Sequence, residues 1–333
     1  MANRKFKFTF LITVISLILL PIQPAQAETL KIAIVYAEGG RGDNGANDLA
    51  AIGLEKAIVK NKLSRLDIRE QITNGTLGDR ITRVRFLAKN NYKLIICIGS
   101  AYADTVKRIS NEYPNTQFAI IDDESVAMTN VSNLAFANKE ALYVSGAALA
   151  LASKSGKIGF VADKTDPSAA INLQTFTKGA LSVNSKIKIS NLLIDQTSTD
   201  AIKKLVSDGN DQIFSSWSKS DLVISTIAAA NAKSRKALIS GVTPDQFFLN
   251  ISAGKKNQYL VIKKRYDIAV EQMINAEVAD KNILDILDEV KGIYGYRYNL
   301  KDAGISISLV SGASLPTRVQ AITSSIKAGK LKP

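Results

Sequence analysis

From residue 30 onward the chain alternates short, unbroken apolar runs with stretches of helical period, and it completes this rhythm twice. Residues 30–36, 94–98, 118–121, 131–136, 158–162, 187–193, 212–215 and 237–242 read as strands. Helical patterns fall between them at 47–60, at 79–90 with Ile81, Val84 and Leu87 on one face, and at 103–112. A strand without polar alternation is buried on both faces, which is how a parallel sheet covered by helices on each side is written. The predicted class is α/β, doubly wound. The first cycle closes near Ala137 and the second starts at Lys157, with the alanine-rich stretch 141–153 as a packed helix between them. Beyond Val242 the pattern loosens: 259–262 extended, 267–275 helical, 295–300 a short strand.

The first residues read differently. Arg4, Lys5 and Lys7 precede an apolar run over 8–20, then Pro21 and Ala25-Gln26-Ala27. That order predicts a secretory signal peptide cleaved after Ala27, and the run is shorter than the ~20 residues a membrane span requires. No cysteine lies near the cleavage point, so acylation there is not expected. The expected location is periplasmic or secreted. The remaining residues exceed the ~250–300 at which a single core stops growing, so two lobes are predicted.

Composition narrows the chemistry. There is no histidine, which removes Ser-His-Asp and Cys-His catalysis and the commonest zinc ligand. The one cysteine, Cys97, sits inside an apolar strand, so an intrachain disulfide is impossible and a buried, inert thiol is predicted. The net charge of +13 becomes +10 without the three basic residues before Ala27, and it is spread along the chain, as on a solvated surface. No nucleic-acid partner, metal or cofactor is expected.

Directly after the first strand, Gly40, Gly42 and Gly45 spell G-x-G-x-x-G, with Glu70 at a distance suited to a ribose-binding acid. A phosphate cradle needs bare backbone N–H groups, whereas Asp43 stands inside this loop and Glu38 just before it. The loop is better read as a helix start, with Asp43 and Asn44 as caps and glycines that let backbone approach a ligand. Carboxylate and amide groups there suit hydroxyls or ring nitrogens.

In open parallel sheets ligands bind beyond the carboxyl ends of the strands. The candidate loops are therefore 36–47, 99–102, 122–124, 163–166, 215–220 and 243–245.

The glycine loop 39–47 (GGRGDNGAN) resembles the opening motif of the basic membrane protein family, also called purine nucleoside receptor-like: receptors that feed ABC importers. Further matching stretches are 95–105 (IICIGSAYADT), 113–122 (YPNTQFAIID), 130–146 (NVSNLAFANKEALYVSG), 153–161 (SKSGKIGFV), 241–246 (GVTPDQ), 264–270 (KRYDIAV) and 299–305 (NLKDAGI). The resemblance spans nearly all of the chain after residue 27. It implies a type I periplasmic binding fold of two lobes joined by three crossovers, with ligand in the cleft and a membrane permease as partner. The expected lobes are 28–136 plus 259–291, and 137–258 plus 292–333; a monomer is expected. Against the family pattern, Ala37 stands for an aspartate, Ala46 for the phenylalanine that stacks on the base, and Thr243 for another aspartate. Losing a stacking aromatic forfeits roughly 0.5–1.5 kcal/mol beyond its buried area.

The ligand-binding set expected from these readings is Tyr36, Asp43, Asn44, Asn47, Ser100, Tyr102, Asp122, Trp217, Thr243, Asp245 and Lys264. Tyr36, Tyr102 and Trp217 are the aromatics at strand ends expected to take the place of the lost stacking ring. Capping competes with ligand binding at Asp43, Asn47 and Asp122, and simple solvation competes at Lys264. The leading function is a non-enzymatic solute-binding protein for a small polar ligand, nucleoside-like or other. The alternatives are a carboxylate-based hydrolase, using Asp43 and Asp122 opposed by Asp163 or Asp166, and a sensor on the same fold without transport.

Overall fold

The computed structural model describes residues 30–43, 45–194, 199–216, 220–232, 237–243, 255–281, 283 and 285–333. Residues 1–27, expected from the sequence to be a signal peptide, lie outside them. In the first unit, β1 (Ile32–Tyr36), β2 (Ile68–Ile72), β3 (Leu94–Ile98), β4 (Gln117–Ile121) and β5 (Val131–Phe136) alternate with α1 (Ala46–Asn61), α2 (Leu77–Lys89) and α3 (Ala103–Glu112). Helix α4 (Asn138–Ala152) then leads into β6 (Lys157–Asp163), α5 (Ala169–Val183), β7 (Lys188–Ile194), α6 (Asp200–Ser207), β8 (Gln212–Ser215), α7 (Ser220–Asn231), β9 (Leu238–Thr243) and β10 (Gln258–Lys264). The chain ends through α8 (Tyr266–Val278), β11 (Asp285–Asp288), β12 (Ile293–Tyr298), β13 (Ile305–Leu309) and α9 (Thr317–Lys327).

Two sheets result, in the orders β11-β12-β5-β4-β3-β1-β2 and β13-β10-β9-β8-β6-β7. Both are parallel except at one edge, where β11 and β13 run antiparallel to their neighbours. The side-chain period of two is visible along β1. Ile32, Ile34 and Tyr36 pack with α1 and α8, whereas Ala33 and Val35 pack with α2 and α3. Every residue of β1, β3, β4 and β5 is buried, as an unbroken apolar run requires.

Two boundaries differ from the sequence expectation. Strand β10, placed with the first lobe by the range 259–291, pairs with β9 and β13 in the second sheet. Strand β12, placed with the second lobe by the range 292–333, pairs with β5 in the first. The chain therefore crosses between sheets after Phe136, after Lys264 and between Tyr298 and Ile305. The crossovers are knitted together: the Phe136 ring lies 5.4 Å from those of Tyr266 and Tyr298. Ala137 N–H donates to Tyr298 O at 2.8 Å, and Arg265 N–H to Gly304 O at 2.9 Å.

Several of the matching motifs are structural. Asn130 Nδ2 donates to the carbonyls of Ser110, Tyr113 and Thr116, closing the turn before β4. Asn133, fully buried, clamps Val126 N–H and O and the Tyr294 carbonyl. In the 264–270 stretch, Asp267 receives Arg265 on both oxygens and Lys56 at 3.0 Å, tying α8 to α1. Burial pushes the Asp267 carboxyl up, but these hydrogen bonds outweigh it and hold its pKa at about 2, against an ordinary 3.8.

A depressed carboxyl contributes stability above its unfolded pKa and loses it as pH falls through the folded one. The shift corresponds to about 2 kcal/mol. Urea unfolding of Asp267→Asn should thus show a deficit of about that size at pH 6, shrinking between pH 4 and pH 2. A deficit that does not change with pH would refute this assignment.

Candidate functional site

At the carboxyl ends of the two sheets, one polar cluster joins them. Asp122 follows the last residue of β4 with φ +64°, a left-handed backbone that aspartate tolerates better than most residues. Its N–H is held by the Leu134 carbonyl at 2.8 Å. Its two carboxylate oxygens accept from Lys264 Nζ at 2.8 and 2.7 Å, and Oδ2 also accepts from Tyr266 OH at 2.7 Å. Lys264 is the last residue of β10, so the ion pair runs from one sheet to the other. The pair is largely buried, with side chains 11% exposed for Lys264 and 22% for Asp122. The ammonium also lies 5.7 Å from the centre of the Phe136 ring.

Two of the expected residues, Asp122 and Lys264, thus meet. Ser100 is exposed at the head of a short 3-10 turn on the adjacent strand end, where Gly99 N–H donates to Ile121 O at 3.0 Å. Thr243 closes β9 beside Lys263. Tyr266 and Phe136 belong to the cluster but were absent from the expected set. Both stood in matching stretches, 264–270 and 130–146, and their position beside two crossovers was the missing information. A cavity of about 650 Å³ shares Phe136 with the cluster and is bordered by Asn138 and Glu140 at the start of α4 and by Ser168 and Asn172 at the start of α5. Burial raises the Glu140 carboxyl pKa, while a hydrogen bond from Leu300 N–H opposes the rise.

The remaining expectations divide. Tyr36 is 1% exposed and its hydroxyl donates to Glu70, so the ring packs in the core. Tyr102, equally buried, packs on the other side of the sheet and donates to Tyr36 O at 2.6 Å. A strand-end tyrosine is pulled inward here because its long ring can bury its body while its hydroxyl still finds an acceptor. Asn47, 1% exposed, accepts from Ala37 N–H at 3.0 Å and pins the end of β1 to α1. Asp43 caps α1: Oδ1 accepts from Gly45 and Asp48 N–H, and Oδ2 from Asn47 N–H. Ala46, at the position of the lost aromatic, packs against the core. Asn44, Trp217 and Asp245 lie outside the described residues.

The glycine loop is no phosphate cradle. Gly42 N–H is taken by Asp48 Oδ1 at 2.6 Å and Gly45 N–H by Asp43 Oδ1 at 2.7 Å. Glu70, the would-be ribose acid, instead binds Tyr36 and both the Nε and an Nη of Arg41, which also reaches Glu55. Of the four carboxylates suited to a hydrolase, Asp43 caps α1 and Asp122 is paired with Lys264. Asp163 accepts from Thr165 N–H and Oγ1, which hold its pKa below the usual range, and Asp166 accepts from Ser168 N–H. Cys97 is fully buried, and burial pushes its thiol pKa well above the ordinary value.

Two doubly wound sheets joined by three crossovers, with a polar cluster where their carboxyl ends meet, define a two-lobed binding protein. The chain belongs to the family of PnrA-like ABC transporter substrate-binding proteins, Bmp, whose model matches residues 30–309. It is 25% identical over 302 residues to the ABC transporter nucleoside-binding protein BmpA of Lactococcus lactis, covering 86% of this chain and 83% of that one. Basic membrane protein D of Borreliella burgdorferi is 27% identical over 311 residues, covering 86% and 87%. Among solved structures, an ABC transporter solute-binding protein from Aeropyrum pernix superposes with a TM-score of 0.68 at 17% identity, covering 91% of this chain and 92% of that one. One from Conexibacter woesei gives 0.69 at 15%, covering 91% and 98%. Proteins of this family bind small ligands and work with a membrane permease. Among the described residues no helix is long and apolar enough to cross a membrane.

Proposed function

We propose that this chain is an exported, monomeric solute receptor that holds a small polar molecule between its lobes and delivers it, chemically unchanged, to an ABC permease. The reading rests on the Asp122–Lys264 pair, which sets a carboxylate, an ammonium and the Tyr266 hydroxyl at the junction of the two strand-end surfaces. Such a cluster offers both donors and acceptors to hydroxyls and ring nitrogens. A nucleoside-like ligand fits that chemistry and agrees with the nucleoside-binding name of the L. lactis relative. With alanine at positions 37 and 46, its base is held by other contacts than in the family pattern.

A thermal-shift screen against nucleosides, bases, sugars and amino acids tests the idea. One class should raise the melting temperature of the native chain in a saturable way. Lys264→Met should weaken that class on the order of 100-fold, as expected when a charged partner of a bound polar group is removed. A Lys264→Met protein that folds and binds like the native chain would remove Lys264 from the site.

A further inference from the structure

Five exposed lysines of the second lobe stand together at the amino ends of its strands. Lys154 and Lys157 stand at the amino end of β6, Lys186 and Lys188 at that of β7, and Lys256 just ahead of β10; all five are exposed. Lys157 and Lys188 are register partners on neighbouring parallel strands. Lys157 Nζ donates to the Asp208 carbonyl at 2.9 Å. The lysines outnumber the nearby acids. Asp208 is paired with Lys204, and Asp211 is turned onto Ser153 Oγ and the N–H groups of Lys154 and Ser155. A cavity of about 620 Å³ lies among Lys154, Lys157, Asp208, Asn210 and Asp211. At the opposite, carboxyl end of β6 the loop carries Asp163, Lys164 and Asp166. The five lysines thus form a basic group at the strand ends away from the Asp122–Lys264 cluster.

We propose that this face is a docking surface for anionic phospholipid headgroups, seating the receptor at the membrane with its ligand cluster turned away from the lipid. Clustered lysines beside a negatively charged bilayer each raise partition roughly fivefold at low salt. The five are all lysines with no arginine or aromatic among them. They offer point charges that suit a diffuse layer of headgroups, and not the bidentate forks and stacking planes by which nucleic acid is gripped.

The test is co-sedimentation of the full chain with phosphatidylglycerol-containing vesicles, compared with phosphatidylcholine vesicles. Because Arg4, Lys5 and Lys7 also respond to anionic lipid, the readout is the difference between the native chain and the variant K154Q/K186Q/K188Q/K256Q. The variant should lose on the order of 100-fold in phosphatidylglycerol-dependent partition, and the difference should collapse as salt rises from about 0.1 to 0.5 M. The charge-conserving variant K154R/K186R/K188R/K256R should retain the native partition, which separates loss of charge from loss of fold. Equal partition of the native and glutamine chains would overturn the proposal. So would tighter, competing binding of duplex DNA at the same salt.

Discussion

Replacing Asp122 with asparagine should lower the unfolding free energy by about 3 kcal/mol, because it leaves the Lys264 ammonium without a counter-charge where its side chain is only 11% exposed. Asparagine keeps the side-chain shape and tolerates the left-handed backbone at φ +64°, so the loss reports the charge and not backbone strain. Lys264→Gln alone leaves the carboxylate with Tyr266 OH as its remaining side-chain donor among those described, and should cost less. The double variant Asp122→Asn/Lys264→Gln should recover much of the loss, since two neutral amides can hydrogen-bond where an unpaired ion cannot. Urea titrations of the four proteins give the coupling. Strictly additive effects would mean that the two residues do not act as a pair.

A second large effect is expected at the crossing of α4 and α5. A Cβ on Gly146 would come within 2.0 Å of the Phe176 carbonyl oxygen, and one on Gly179 within 2.0 Å of the Tyr143 carbonyl oxygen. The opposing atoms are backbone, so a methyl group forces the helices apart along with the packing around Phe176, which is fully buried. Gly146→Ala should cost about 3 kcal/mol, at the upper end of overpacking losses. Gly78→Ala is the control. It lies in the first turn of α2 with nothing within 4 Å of the added carbon, and there alanine should stabilise by up to about 1 kcal/mol through helix propensity. If Gly146→Ala proved as harmless as Gly78→Ala, the close approach of α4 and α5 would be wrong.

The fold was legible where local pattern and tertiary role coincide. The apolar runs of β1, β3, β4, β5 and β6 and the helix at 103–112 stand in the sequence almost as they fold. Strand β2 was not legible because Ile68-Arg69-Glu70-Gln71-Ile72 is an edge strand, exposed or half-buried along its length, with the polar character of a loop. The late strands β11 and β13 are antiparallel edges of the same kind. The exchange of β10 and β12 between lobes had no local signal, since nothing in a short apolar strand names the sheet it will join. At the site, Asp122 and Lys264 were readable from their positions at strand ends, but not their contact across 142 residues. The burial of Tyr36, Tyr102 and Asn47 was not legible for one shared reason: position at a strand end says nothing about which way a side chain turns. Each turns inward, to Glu70, to the Tyr36 carbonyl and to Ala37.

The most direct measurement is calorimetric titration of the native chain and of Lys264→Met with the compound selected by the thermal-shift screen, followed by mass spectrometry of the compound released from the protein. The expected result is one equivalent bound by the native chain, recovered with its mass unchanged, and little binding by Lys264→Met. Equal binding by the variant, or recovery of a cleaved product, would contradict a receptor that grips its ligand at the Asp122–Lys264 junction.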